Sequence, residues 1–273
     1  MTLARALKVH LRRFDVHGLP LRVVTLRPQT TTRFSTNYFH DTWHVLSGPD
    51  GAVLLGELLW GLAFQRRPGT LVLLDAPHVV STPFDGDAGD PILLIPDHLT
   101  HLHDDHLRAL ARALRRVPTP RTTIRWHSFG LRAALARDDR RDHLWLRHDE
   151  HRALRTRERM SRRAGFVCYT APPEILRSQG LGIYRMHSHS AGTYHPLAER
   201  GARGAWHLDG EYQLIPGFAD KVSAAAVARR EVMDDPARAL VDDAERHGVQ
   251  VHTDATLARL HRARKRATSR RAT

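Results

Sequence analysis

The amino-acid order predicts an α/β protein, and three observations carry that expectation. Uninterrupted apolar runs of strand length, Leu71-Val72-Leu73-Leu74, Ile92-Leu93-Leu94-Ile95 and Phe166-Val167-Cys168-Tyr169, suit strands covered on both faces. Segments with apolar residues at helical spacing alternate with strand-like runs from Ala52 to Thr253. Hydrophobic residues make up 41% of the 273 positions and charged residues 26%, a mixture that can fill a core of this size. Two architectures satisfy this pattern: a layered αβ/βα sandwich, favoured by a motif described below, and a doubly wound three-layer α/β sheet. No repeat and no compositional break marks a second domain, so residues 1–261 are read as one α/β domain and 262–273 as a basic tail without fixed structure.

Taken in order, Leu7 to Leu11 and Leu21 to Leu26 read as a hairpin turned at Gly18-Leu19-Pro20. A polar Thr/Arg/Gln stretch leads to a short strand at Trp43 to Leu46, ended by Gly48-Pro49-Asp50-Gly51. Ala52 to Arg66 has helical periodicity and stops at Pro68-Gly69; the strands at Leu71 and Ile92 follow, separated by a loop rich in Pro, Asp and Gly. Leu107 to Val117 is a helix with an arginine-rich outer face, Thr122 to Trp126 a strand, and a short helix runs to Ala136. The alternation repeats as a strand at His143 to Leu146, an arginine-rich helix from Asp149 to Arg163, a strand from Phe166 to Thr170, a helical turn after Pro172-Pro173 and a strand at Leu181 to Tyr184. Ser188 to Gly217 reads as irregular chain with short strand candidates near Trp206 and Tyr212. Asp235 caps a helix that Pro236 opens and Gly248 stops, and Val249 to Val251 forms a last short strand.

Composition narrows the function classes. The formal charge of +13, with 20 histidines, sets up a positive field that attracts phosphates. Thirty-nine arginines against three lysines would also follow from coding in a GC-rich genome, with no partner involved. The single cysteine, Cys168, cannot form an internal disulfide and sits in an apolar run, which points to a reducing, cytoplasmic compartment. The first residues lack the apolar core of a signal peptide. The longest apolar run, Ala52 to Phe64, contains Glu57 and falls short of the roughly 20 residues a bilayer span needs, so no membrane partner is expected.

The richest chemistry lies in Thr100-His101-Leu102-His103-Asp104-Asp105-His106, between an apolar strand and a helix. On a helix, residues two apart point about 200° apart, so His101 and His103 could share an ion only from an extended loop. Asp105 and His106, at the helix entry, could then hold a second ion.

These residues resemble the His-x-His-x-Asp-His signature of the metallo-β-lactamase-like hydrolases, which also follows an apolar strand and precedes a helix. His189-Ser190-Ala191-Gly192-Thr193 is similar to the segment carrying that family's third histidine. The resemblance implies a zinc or similar divalent metal held by His101, His103 and His189 on one side and by Asp105 and His106 on the other. Asp209 would bridge and His252 would be the last ligand, with Asp105 as the catalytic candidate. It further implies a hydrolase that turns a metal-bound hydroxide on a small ester or a phosphodiester. The chain departs from the pattern at Leu107-Arg108, Leu208 and Ser188, where the family has glycine.

Other readings stand beside it. The same stretch suits an amphipathic helix starting at Asp97, with Leu99, Leu102, Leu107, Leu110 and Leu114 buried and His101, Asp104, Arg108 and Arg112 wet. A non-enzymatic nucleic-acid-binding protein would use Arg152, Arg155, Arg159, Arg162 and Arg163 on one helix together with the basic tail. No dinucleotide fingerprint and no Walker-type loop is present. Oligomeric state is not legible from the sequence.

Overall fold

The computed structural model describes residues 7–116, 122–138, 152–189, 192–200 and 207–233. The expected strand at His143, the helix capped by Asp235, the strand at Val249 and the 262–273 tail lie outside these residues. What the described chain forms is a mixed, layered α/β fold built on two sheets.

The larger sheet has the order β7-β1-β2-β5-β6-β9-β8. Its strands are β1 (Leu7–Val16), β2 (Leu19–Thr25), β5 (Thr70–Leu74), β6 (Ile92–Pro96), β7 (Thr122–Trp126), β8 (Arg159–Arg163) and β9 (Phe166–Ala171). Antiparallel pairing joins β1 to β2, β1 to β7, β5 to β6 and β8 to β9, while β2/β5 and β6/β9 run parallel. The smaller sheet, ordered β10-β11-β4-β3, contains β3 (Phe34–Phe39), β4 (Thr42–Ser47), β10 (Thr193–Arg200) and β11 (His207–Leu214), with β4 and β11 parallel. The helices are α1 (Pro49–Ala63), α2 (Asp104–Arg116), α3 (Leu131–Asp138), the single turn α4 (Arg152–Arg155), α5 (Pro173–Arg185) and α6 (Phe218–Met233).

Local chemistry sets three of the hairpins. The β1–β2 turn places His17 at φ 54° and Gly18 at φ 78°, and the β8–β9 turn places Ala164 at 52° and Gly165 at 82°. Two consecutive left-handed residues are what a two-residue turn needs to match the strand twist. Between β3 and β4 the same role falls to His40 and Asp41.

The continuous apolar runs of β5 and β6 are explained by burial on both faces. Leu71, Leu73, Leu93 and Ile95 face Leu102, Leu107 and Leu110 at α2. Val72, Leu74, Ile92 and Leu94 face the other way, toward α1, α5 and the inner side of the smaller sheet at Val45, Leu197, Tyr212 and Leu214. Helices α1 and α5 cross in backbone contact: a Cβ on Gly56 would lie 2.8 Å from the Gly180 carbonyl oxygen, and one on Gly180 would lie 3.0 Å from that of Gly56.

Three expectations are corrected. Leu181 to Tyr184 is the last turn of α5, not a strand, because Ile175, Leu176 and Ile183 line one buried stripe through Gln179. Asp149 to Arg163 is not one helix: described chain from Arg152 gives the single turn α4 and then β8, where Met160 alone points into the core and Ala164-Gly165 turns the strand back onto β9. Ser188 to Gly217 is largely ordered as β10 and β11. Strand β3 and helix α6 were not anticipated, the first because Ser35, Thr36 and Asn37 dilute its apolar signal.

Candidate functional site

The sequence-predicted residues are distributed as follows. His101 and His103 lie in the non-helical lead into α2 and are exposed, while Leu102 between them is buried. Asp105 is exposed and bonded to Arg108 at 2.7 Å, a contact that holds its carboxyl below the usual range. The His106 Nδ1 accepts a hydrogen bond from the His103 backbone N–H at 3.1 Å. Ring centroids of His103 and His106 are 5.6 Å apart, and His17, from the β1–β2 turn, stands 6.3 Å from His106.

His189 follows α5, packed on the opposite face of the larger sheet from α2, and is exposed. Asp209 is half-buried on β11, and His252 lies outside the described residues. Among the described residues no group of three His, Cys, Asp or Glu side chains is placed to hold a metal ion. Cys168 is buried, and desolvation pushes its thiol up to about 12, far from a reactive thiolate.

The arginines expected on one helical face are divided. Arg155 turns inward toward Glu158 at 3.6 Å, Arg162 pairs with Asp90 and Arg163 with Asp104, each at 2.7 Å. Strand alternation, with a two-residue instead of a 3.6-residue period, sends Arg162 and Arg163 to opposite sides.

A different group of polar side chains meets inside the molecule. Glu158 closes the turn between α4 and β8, its N–H bonded to the Arg155 carbonyl. It is 1% exposed. One of its carboxylate oxygens, Oε1, accepts the Tyr169 hydroxyl at 2.5 Å and the Gln179 amide N–H at 2.8 Å. Tyr169 reaches it because β8 and β9 pair Met160 with Tyr169, and Gln179 because it interrupts the buried stripe of α5. The same Gln179 nitrogen donates to the Pro196 carbonyl at 3.2 Å. Its Oε1 lies 2.5 Å from His195 Nε2, on the inner face of β10.

The ring of His195 lies against Gly182, one helical turn beyond Gln179. A Cβ at Gly182 would sit 2.2 Å from His195 Cε1, so only glycine leaves room for the imidazole. Burial, then the charge and hydrogen bond of Glu158, push the Tyr169 hydroxyl well above its ordinary value, which keeps it a donor to Glu158. Arg155, with its side chain 13% exposed, adds positive charge on the other oxygen's side. The result is a chain from a desolvated carboxylate, through an amide, to a half-buried imidazole.

Sequence reasoning missed all four members. Tyr169 sat in an apolar strand, Glu158 passed for a charge balancing arginines, and His195 was one of 20 histidines. The one available signal was Gln179, a polar residue in an otherwise buried stripe.

A second buried pair, His44 Nε2 to Glu211 at 3.2 Å, bridges β4 and β11. Desolvation lowers the His44 pKa despite that carboxylate. No family model matches the chain, and neither a curated protein nor a solved structure does. The metallo-β-lactamase-like resemblance therefore rests on the sequence motif alone.

Proposed function

We propose that the protein is an acid–base enzyme acting on an anionic substrate, with His195 as the group that takes up and returns a proton. One observation carries this reading: the half-buried His195 ring is seated on Gly182 and bonded through Gln179 to a carboxylate that is itself buried. Perturbed titratable groups held by a supporting set of bonds are the usual mark of a working site. The charge of +13 favours a negatively charged substrate, and ester or phosphodiester hydrolysis is the class the sequence motif put forward.

A positioned general acid–base contributes about 10²- to 10⁴-fold in rate. Turnover of bis(p-nitrophenyl) phosphate and of p-nitrophenyl acetate by the parent chain and by His195→Gln tests the reading. A loss of at least about 100-fold in the variant supports it. Equal rates in the two proteins, or no turnover of either ester, would sink it.

The second reading is the metal-dependent hydrolase, with zinc or a similar ion. It is supported by the sequence motif and by the nearness of His17, His103 and His106, although among the described residues no three such side chains are placed to hold an ion. Metal content of the purified parent and of a His103→Ala, His106→Ala double variant decides it: a metal-free parent ends this reading.

A further inference from the structure

We infer that Glu158, Tyr169 and Gln179 form one positioning chain that dictates which nitrogen of His195 carries the proton. The inference deepens the acid–base reading and rests on it only for its catalytic consequence. Gln179 has two acceptors on its amide-nitrogen side, the Glu158 carboxylate at 2.8 Å and the Pro196 carbonyl at 3.2 Å, and neither can donate. The NH₂ must face them. The carbonyl Oε1 of Gln179 is thereby turned to His195, and it can only accept. The atom it meets, His195 Nε2 at 2.5 Å, must then be the protonated nitrogen of the neutral ring, which leaves the lone pair on Nδ1.

Tyr169 closes the alternative at the start of the chain. Its hydroxyl donates to the same carboxylate oxygen at 2.5 Å, so Oε1 receives two hydrogen bonds and acts toward Gln179 as an acceptor. With Glu158 Oε1 and the Pro196 carbonyl both accepting, the amide cannot flip without setting acceptors face to face in a desolvated site. Gly182 supplies the steric half of the device, because the imidazole occupies the place its side chain would take. Proton uptake by His195 therefore occurs at Nδ1, and the positive ring that results keeps its Nε2–H on the Gln179 carbonyl. Glu158, Tyr169 and Gln179 are positioning residues: none of them is placed as the group that exchanges a proton with substrate.

The experiment is long-range ¹H–¹⁵N correlation at the histidine rings of the native full-length chain, with His195 assigned by its disappearance in His195→Gln. Above the pH of its titration, His195 is expected to show a protonated Nε2 and an unprotonated Nδ1. An Nδ1–H form, or an even mixture of the two, would overturn the inference on the parent protein alone, whatever happens to any variant. Glu158→Gln, which can donate as well as accept, is expected to leave the amide held by the Pro196 carbonyl alone and so to shift the ring toward that mixture. A variant that folds with the parent's single tautomer refutes the part given to Glu158 and leaves the Pro196 carbonyl as the group that orients the amide. The outcome is separable from the activity assay. The expected tautomer with an unimpaired His195→Gln rate leaves the positioning chain standing and removes the catalytic reading, whereas the reverse pattern does the opposite.

Discussion

Glu158 is worth more to this molecule than its place in an arginine-rich run suggests, since two neutral donors and a nearby arginine are spent on it in the interior. Hydrogen bonds to a charged partner contribute about 1.5–3 kcal/mol each, roughly twice a neutral one. Tyr169→Phe removes one of them and leaves its shape, so it should destabilise the fold by about 2 kcal/mol, read from urea unfolding with an unchanged m-value. A shift under about 0.5 kcal/mol would show that the carboxylate is held by Gln179 and Arg155 without it. His44 and His78 give a second residue-level expectation. Burial is the first cause that pushes both below the ordinary 6.5. As pH falls past that value the unfolded chain takes up protons before the folded one does, so stability is complete above about pH 6.5 and declines below it. The melting temperature should fall as the pH is lowered through about 6.5, and His44→Gln, which cannot titrate, should narrow the drop. A variant that loses stability as steeply as the parent would assign the effect elsewhere.

At the scale of elements, the crossing of α1 and α5 is the contact that brings Gln179 to the core. It depends on two backbones without side chains between them. Ala at position 56 would put a Cβ 2.7 Å from Tyr184 Cβ and 2.8 Å from the Gly180 oxygen, with no flexible side-chain end to move aside. Overpacking costs about 1–3 kcal/mol, and better helix propensity returns up to about 1 kcal/mol of it. Gly56→Ala should therefore destabilise by about 1–2 kcal/mol in thermal unfolding and, by pushing α5 outward, lengthen the Gln179–His195 contact. A variant as stable as the parent would mean that the helices can slide apart freely. Helix α1 is buried over Gly51, Ala52 and most of its length to Ala63, and this explains why Ala52 to Phe64 looked like one of the most apolar stretches of the sequence. No helix among the described residues is long and apolar enough to cross a membrane.

For the whole molecule, the charge of +13 is the property most open to test. Several basic side chains are already committed to carboxylates, including Arg157 with Asp97, Arg162 with Asp90 and Arg163 with Asp104. A nucleic-acid partner would thus rely on the remaining arginines and on the 262–273 segment, with Arg262, Arg264, Lys265, Arg266, Arg270 and Arg271. Binding of a single-stranded oligonucleotide should weaken steeply with salt, because each neutralised phosphate releases counterions. Removal of residues 262–273 should lower both the affinity and the salt slope. Absence of binding by the full chain even at low salt would leave the excess of arginine without a partner of this kind.

The amino-acid order alone determined the α/β class and the strands whose signal is local and strong. Leu71 to Leu74, Ile92 to Ile95 and Phe166 to Thr170 are apolar runs too short for helices, and burial on both faces is the only place water leaves them. The helices over Ala52 and Leu107 follow from spacing in the same way. Where a segment's partner decided its form, the order was silent. Arg159 to Arg163 becomes a strand because Phe166 to Ala171 turns back onto it, and Leu181 to Tyr184 stays helical because α1 lies beneath it. The candidate site belongs wholly to this second kind. Glu158, Tyr169, Gln179 and His195 are each unremarkable in sequence, and the His101 to His106 stretch that drew attention lies on the surface. Only the packing of β8, β9, α5 and β10 removes water from the four together. In that desolvated place an ordinary carboxylate, phenol, amide and imidazole must satisfy one another, and their mutual polarity becomes a directed chain.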